Sequence, residues 1–373
     1  MKVLNYAILL SVSAIVLPAH GAFALEARPV SITCSPSTKI QSSIDAALPS
    51  EATTITVSGT CRENISIPAG KIITIIGANG TAKITAANAA QPAVTSYGTT
   101  TVQSMTVQNL SGTAEAVMMA DRGGYLQVVG SKVSGPSVGS AVGIWRNSAG
   151  VISNSKITGG TTAAIELWDG SQLVVAGNPW DARGPDGFKT VVSSNGAWAV
   201  GCGIGSSLTM RATTAGSSAG SIEINNSLVG IFGHECSAQL ENATNSATNF
   251  TISGMPAGGS AIRGQKSSIN IKKLNIVNNA GVGIDVQQSS VQVDGSSISG
   301  NAEGDILSGY RSSILFTGWY NKNTMPQAFS MNTMKCYPTN KADIFIESSA
   351  IAVPAGKTMG DIATNNSCVT LGD

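Results

Sequence analysis

Charge is scarce in this chain: Asp, Glu, Lys and Arg make up 12% of its 373 residues and nearly cancel, leaving a formal net charge of +1. Nucleic acid as a polyanionic partner therefore has no electrostatic support. Histidine is rarer still, with two residues, and no Cys-x-x-Cys occurs, so the sequence offers zinc no ordinary ligand set. No segment beyond the N-terminus has the long apolar run that a membrane-spanning helix needs. Helical 3.6-residue spacing is missing from the long middle of the chain, which argues against a helical domain there.

What the sequence does have is a repeat. From Gly258 to Leu315 three imperfect copies of one unit follow each other, with Ile262, Ile284 and Ile306 in register at 22-residue steps. A second apolar column falls at Ile269 and Val291 and a third at Ile276 and Ile298. Each copy therefore carries three short strands, separated by Ser, Gly and Asn, and a period in the low twenties marks a coiled β solenoid. Equivalent residues of successive rungs stack at about 4.8 Å and side chains alternate between interior and solvent. Ile262 and Ile284 point in, whereas Arg263 and Asp285 point out and read as a surface ion pair worth about 0–1 kcal/mol. Abundant glycine, 42 residues, suits the tight bends of such a structure. A solenoid also accommodates a chain of this length in one domain, because it grows by adding rungs to one core.

The first residues have the pattern of an export signal: Lys2 in the n-region, an apolar run from Val3 to Leu17, and Ala22-Phe23-Ala24 as the cleavage site. The expected organisation is a signal peptide over 1–24, an N-terminal cap over 25–60, repeats over 61–320 and a C-terminal cap over 321–373. The mature chain is then expected in a secreted, periplasmic or cell-surface location, without a membrane span. Six cysteines in an exported chain point to disulfides. Fifteen connectivities are open; proximity in sequence suggests Cys34 with Cys61, Cys336 with Cys368, and Cys202 with Cys236.

Within the cap, Ser37 or Thr38 is placed to N-cap a short helix in which Ile40, Ile44 and Leu48 share one face and cover the open end of the solenoid. Strand-like runs follow at Ile55–Val57, Ile65–Ile67, Ile72–Ile76 and Ala82–Thr85. This opening, with Ile44, Ala47, Gly59, Glu63, Asn64, Ile76 and Gly77 at the matching positions, is similar to that of the pectin-lyase-like superfamily, and the rungs from Val94 to Leu315 resemble its repeat region. The resemblance implies an all-β, right-handed parallel β-helix of nine to eleven rungs, with three short strands per rung, a capping helix at the N-terminus and a cap at the C-terminus. It does not imply one activity, because that superfamily includes lyases, hydrolases, epimerases, esterases and non-catalytic surface proteins. The Asn-Thr-Asp and Gly-His-Gly pair of polygalacturonase-like hydrolases is absent, as are the signature stretches of pectate lyases and pectin methylesterases; Phe232–Glu235 reads FGHE, with one His and no second Gly.

The first strand of each rung can be followed through Met118, Ile144, Ile165, Ile231, Ile262 and Ile284. The next outward column then reads Met119, Trp145, Glu166, Cys202, Phe232, Arg263 and Asp285, and the one after it Asp121, Asn147, Trp168, Ile204, His234, Gln265 and Gln287. A face that concentrates Asp121, Trp145, Trp168, Phe232 and Arg263 around Glu166 and His234 has the character of a sugar-binding groove, where rings stack on pyranoses and polar groups bond hydroxyls. The repeat is interrupted at Gly177–Lys189, a loop that carries Trp180, Asp181, Arg183 and Asp186. If it lies over the same face, Glu166 with Asp169, Asp181 or Asp186 forms the carboxyl pair of a glycoside hydrolase. Arg183, Lys189, Arg263 and His234 are instead the candidates for a polysaccharide lyase. Carboxylates of this set also offer the oxygen ligands that Ca²⁺ takes; no other metal or cofactor is implied. Two functions from different classes follow: binding or cleavage of a polysaccharide or cell-surface glycan, uronic-acid-containing polymers among them, or a non-catalytic structural or adhesion β-helix.

Overall fold

The computed structural model describes residues 27–317 except 110–111, 136–138, 195, 216–217, 245 and 310–311, and beyond them the strands Gln327–Phe329, Met334–Cys336, Asp343–Glu347, Ile351–Ala352 and Val369–Gly372. The signal segment and Cys368 lie outside the described residues.

Three long sheets, of fourteen, twelve and eleven strands, run the length of the molecule, and their ladders are parallel throughout. Each turn of the chain gives one strand to each sheet, as in Ser260–Gln265, Ser268–Lys272 and Asn275–Val277, followed by Val282–Gln287, Ser290–Asp294 and Ser297–Ser299. The observed register pairs Ile262 with Ile284 and Ile306, Ile269 with Val291, and Ile276 with Ile298. All of these side chains are buried, and each contributes about 1.5–3 kcal/mol to a core that is continuous along the axis. Beyond Thr317 the strands keep joining the same sheets: Asp343–Glu347 pairs with Ser313–Thr317 and with Val369–Gly372.

At the corners, buried serines form ladders. Ser289 Oγ accepts from Ser267 N at 3.0 Å and Ser171 Oγ from Ser148 N at 3.3 Å, so buried turn amides find partners on the next rung. Asparagines do the same elsewhere: Asn279 Nδ2 donates to Asn301 Oδ1 at 2.7 Å, and Asn301 Nδ2 to Asp305 Oδ1 at 2.6 Å.

Helix α1, Ile40–Ala46, closes the N-terminal end with Ile40 and Ile44 fully buried. Two expectations about it need correcting. Leu48 falls after the helix has ended and is 63% exposed, so Ala47 completes the buried face instead. Neither Ser37 nor Thr38 caps it; the N-cap is Lys39, and the buried Glu63 carboxylate from the first rung accepts from the amides of Ile40 at 2.9 Å and Gln41 at 3.0 Å. A carboxylate at a helix N-terminus satisfies free amides and complements their dipoles. Glu63→Ala is therefore expected to cost about 1–2 kcal/mol, read as a lower urea midpoint with an unchanged m-value.

Cys34 is bonded to Cys61, tying the N-terminal strand to the first rung, and Cys202 to Cys236, tying two adjacent rungs. The third pairing, Cys336 with Cys368, lies outside the described residues.

Candidate functional site

The outward face of the eleven-stranded sheet carries the functional candidates, but the register differs from the expected one in two rungs. Val142, not Ile144, pairs with Ile165, and Val200 occupies the same column next along. Val142 and Ile144 both point inward, so a shift of two residues keeps the apolar alternation and cannot be detected from it. The outward column is therefore Met119, Gly143, Glu166, Gly201, Phe232, Arg263 and Asp285. Cys202, expected outward, is interior and fully buried in its disulfide, and Ile204 lies in the following turn. Trp145 moves to the strand end beside Trp168, each amide donating to the carbonyl of the preceding rung, at Ala120 and Ile144.

The two glycines flanking Glu166 explain its surroundings. A Cβ built on Gly143 would lie 2.7 Å from the Trp145 ring, and one on Gly201 would lie 2.8 Å from the Trp198 ring. Both indoles thus lie flat on the sheet in space that any other residue would fill. Gly203 seats Trp168 in the same way, since a Cβ there would collide with that ring. Glu166 stands between these rings on the middle rung, 8% exposed. Burial pushes its carboxyl up to about 7; the Ser140 hydroxyl opposes the shift with a hydrogen bond, and the negative charge of Glu115 adds to it.

This carboxyl forms the floor of a cleft of about 560 Å³ with Trp145 and Trp168 as walls and Glu115, Arg146 and Asp169 among its lining residues. Arg146 is held at the rim by Asp121, whose Oδ1 lies 2.6 Å from Arg146 Nε. Asp121 itself is buried, with Arg122 also 3.8 Å away. The indole Nε1 of Trp145 is buried and has no hydrogen-bond partner among the described residues.

From the cleft an aromatic strip continues along the axis. Trp168 and Trp198 have ring centroids 6.4 Å apart, Trp198 stacks on Phe232 at 4.7 Å, and His234 lies parallel to Phe232 at 6.5 Å. Next come Arg263 and Asp285, joined at 2.9 Å. The pair is less exposed than a surface ion pair: Asp285 is buried, and burial raises its pKa against the opposing charge and hydrogen bond of Arg263.

The loop over 177–189 is not part of this site. It leaves the fourteen-stranded sheet at Gly177 and enters the twelve-stranded one at Lys189, so it emerges at a corner that the cleft does not share. Asn154 pins it there, donating to the carbonyls of Asn178 at 2.7 Å and Ala182 at 3.1 Å. Asp181 accepts from Asn178 Nδ2, Arg183 lies over the Phe188 ring, Asp186 pairs with Lys156 at 3.7 Å, and Trp180 is exposed. The structure thus gathers Glu166, Trp145, Trp168 and Asp169 in one cleft, sets Phe232, His234 and Arg263 further along the same face, and places Trp180, Asp181, Arg183 and Asp186 elsewhere. For Ca²⁺, no three His, Cys, Asp or Glu side chains converge among the described residues to hold a metal ion.

Glu115, Arg146 and Trp198 belong to the site and were not read from the sequence. Glu115 lies on a connection between sheets where the repeat gives no signal. Trp198 was detectable as one of only five tryptophans, but its rung could not be registered.

No family model matches the chain, and no curated protein matches it by sequence. Among solved structures, the full-length tailspike protein 2 of an Escherichia coli O157:H7 bacteriophage superposes with a TM-score of 0.50 at 11% identity, covering 86% of this chain and 42% of the tailspike. The fold is the right-handed parallel β-helix. Lesser similarities of this β-helix are to a periplasmic alginate epimerase, with a TM-score of 0.44, 9% identity and coverage of 85% and 78%, and to the PL6 family alginate lyase AlyGC, with a TM-score of 0.37, 10% identity and coverage of 92% and 53%. The β-helix spans less than half the length of the tailspike that it matches.

Proposed function

We propose that this β-helix binds a polysaccharide along the outer face of its eleven-stranded sheet and that Glu166 transfers a proton during processing of the bound chain. The observation that carries the reading is a carboxyl with a pKa of about 7, buried between two indole rings on the floor of an open cleft. Aromatic walls supply the flat apolar surfaces on which sugar rings stack. A carboxyl half-protonated near neutral pH can donate a proton to a leaving oxygen or withdraw one from carbon. Glu115 and Asp169 are the second carboxyls within reach of the same cleft, in place of Asp181 and Asp186. Arg146 at the rim is already paired with Asp121, so neutral and uronic-acid-containing glycans are both candidate occupants. Two disulfides and the signal-like N-terminus support action outside the reducing cytosol.

The test is a panel of neutral and uronic-acid polysaccharides, with product followed both as reducing ends and as the absorbance of unsaturated uronates. Reducing ends alone identify hydrolysis, and both signals together identify β-elimination. Trp168→Ala is expected to weaken binding of the responding glycan by about 2 kcal/mol, near 30-fold, measured by calorimetry. Unchanged affinity would remove the stacking wall from the account.

A second reading, glycan binding or a structural and adhesive role without turnover, is favoured by one observation: His234 and the loop carboxylates lie outside the Glu166 cleft. Binding without either product signal would decide for it.

A further inference from the structure

A second pocket, of about 390 Å³, opens on a different side of the β-helix, where the loop over 177–189 folds back across the corner between the fourteen- and twelve-stranded sheets. Its sheet wall carries Lys132 and Thr106, its corner Ser104, and its roof Arg183, Gly184 and Pro185. The roof is held close to the rungs beneath: a Cβ on Gly130 would stand 2.7 Å from the Arg183 carbonyl, and one on Gly184 would collide with the Asn154 carbonyl. The pocket is therefore built into the scaffold rather than left between mobile parts.

Its charge is one-sided. One outward column of the twelve-stranded sheet reads Lys83, Thr106, Lys132 and Lys156 on four successive rungs. Lys132 and Lys156 are direct cross-strand neighbours, an arrangement that is unfavourable for like charges. Asp186 relieves Lys156 at 3.7 Å. Elsewhere Lys189, Arg211, Arg263, Lys266 and Lys272 each face a carboxylate. Among the described residues no carboxylate pairs with Lys83, Lys132 or Arg183. The Arg183 guanidinium lies 4.8 Å from the Phe188 ring centroid, a cation–π contact that leaves its positive charge unneutralised beside the pocket.

We propose that this pocket is an oxyanion site that takes a sulfate or phosphate group, either as the free ion or as a substituent of a larger ligand. Lys132 and Thr106 from the sheet, Ser104 from the corner and Arg183 from the loop line one pocket from three elements, a set of cations and hydroxyls that suits a group with three or more acceptor oxygens. The volume exceeds that of a bare ion and leaves room for the unit that carries it. The site does not depend on the reading of the Glu166 cleft, which lies on another sheet.

Calorimetric titration of the full chain with sodium sulfate and sodium phosphate, against chloride at equal ionic strength, tests it. The expected result is saturable binding that Lys132→Ala and Arg183→Ala each weaken about tenfold or more. Arg183→Lys, which keeps the charge and loses the fork, falls between wild type and Arg183→Ala, and Trp168→Ala leaves binding unchanged. Tighter binding of a sulfated oligosaccharide than of free sulfate identifies a substituent as the source, and equal binding identifies the free ion. Heat no different from chloride, or unchanged affinity in the folded Lys132→Ala/Arg183→Ala double variant, overturns the proposal.

Discussion

Glu166→Gln is expected to abolish turnover of the responding polysaccharide, by about a hundred- to ten-thousand-fold in kcat, while making the protein more stable above neutral pH. Both effects come from one cause. The carboxyl titrates at about 7 in the folded chain against an ordinary 4.5, so the folded state holds its proton where the unfolded state has lost it. Stability therefore falls as pH rises from about 4.5 and levels off above about 7, with a full penalty of about 3 kcal/mol. Gln fills the same space without ionising and removes that penalty. Urea unfolding at about pH 8 should show the variant stabilised by up to ~3 kcal/mol, whereas at about pH 4 the two proteins should unfold together. Loss of turnover without that pH-dependent gain would mean that Glu166 is an ordinary solvated carboxylate and that its role has been misread.

Ile284→Asp is expected to be the most damaging single change to the fold. The side chain is fully buried in the column between Ile262 and Ile306. An unpaired carboxylate there has no partner on the inward face, and the cost exceeds about 4 kcal/mol, a large share of the stability of most domains. Loss of soluble protein, or a collapse of the urea midpoint, is the expected result. At the neighbouring position, Asp285→Asn removes the charge that Arg263 pairs with and leaves the interior untouched, so it should fold. A soluble Ile284→Asp variant of wild-type stability would contradict the observed register.

The sequence made the fold legible where rungs have equal length. Between Ser260 and Ser299 every strand falls on the same step, and the columns of Ile262, Ile269 and Ile276 could be aligned and are found as read. The alignment slipped where rung length varies. The excursion over 177–189 and the small hairpin of Thr214–Ala215 with Ser218–Ala219 lengthen two rungs, so Val200 could not be placed and Trp198 went unseen. In the Trp145 rung the error has a different origin, since Val142 and Ile144 are equally apolar and equally inward. The site was legible only as a face. Its residue types, Glu166 among tryptophans, could be recognised, but the separation of the loop from the cleft depends on which corner of the rung the insertion leaves. Glu166 and Asp181 are close in sequence, yet a rung turns a corner between them. The flanking glycines gave no signal by themselves either, because Gly143 and Gly201 acquire meaning only when an indole from a neighbouring position lies over each of them.

The most direct measurement is the titration of the Glu166 side-chain carboxyl by NMR in the full chain, with and without an oligosaccharide of the responding polymer. The account predicts a midpoint near 7 in the free protein and a further displacement when the sugar closes the cleft over Glu166. A midpoint near the ordinary 4.5 that does not respond to the sugar would contradict it.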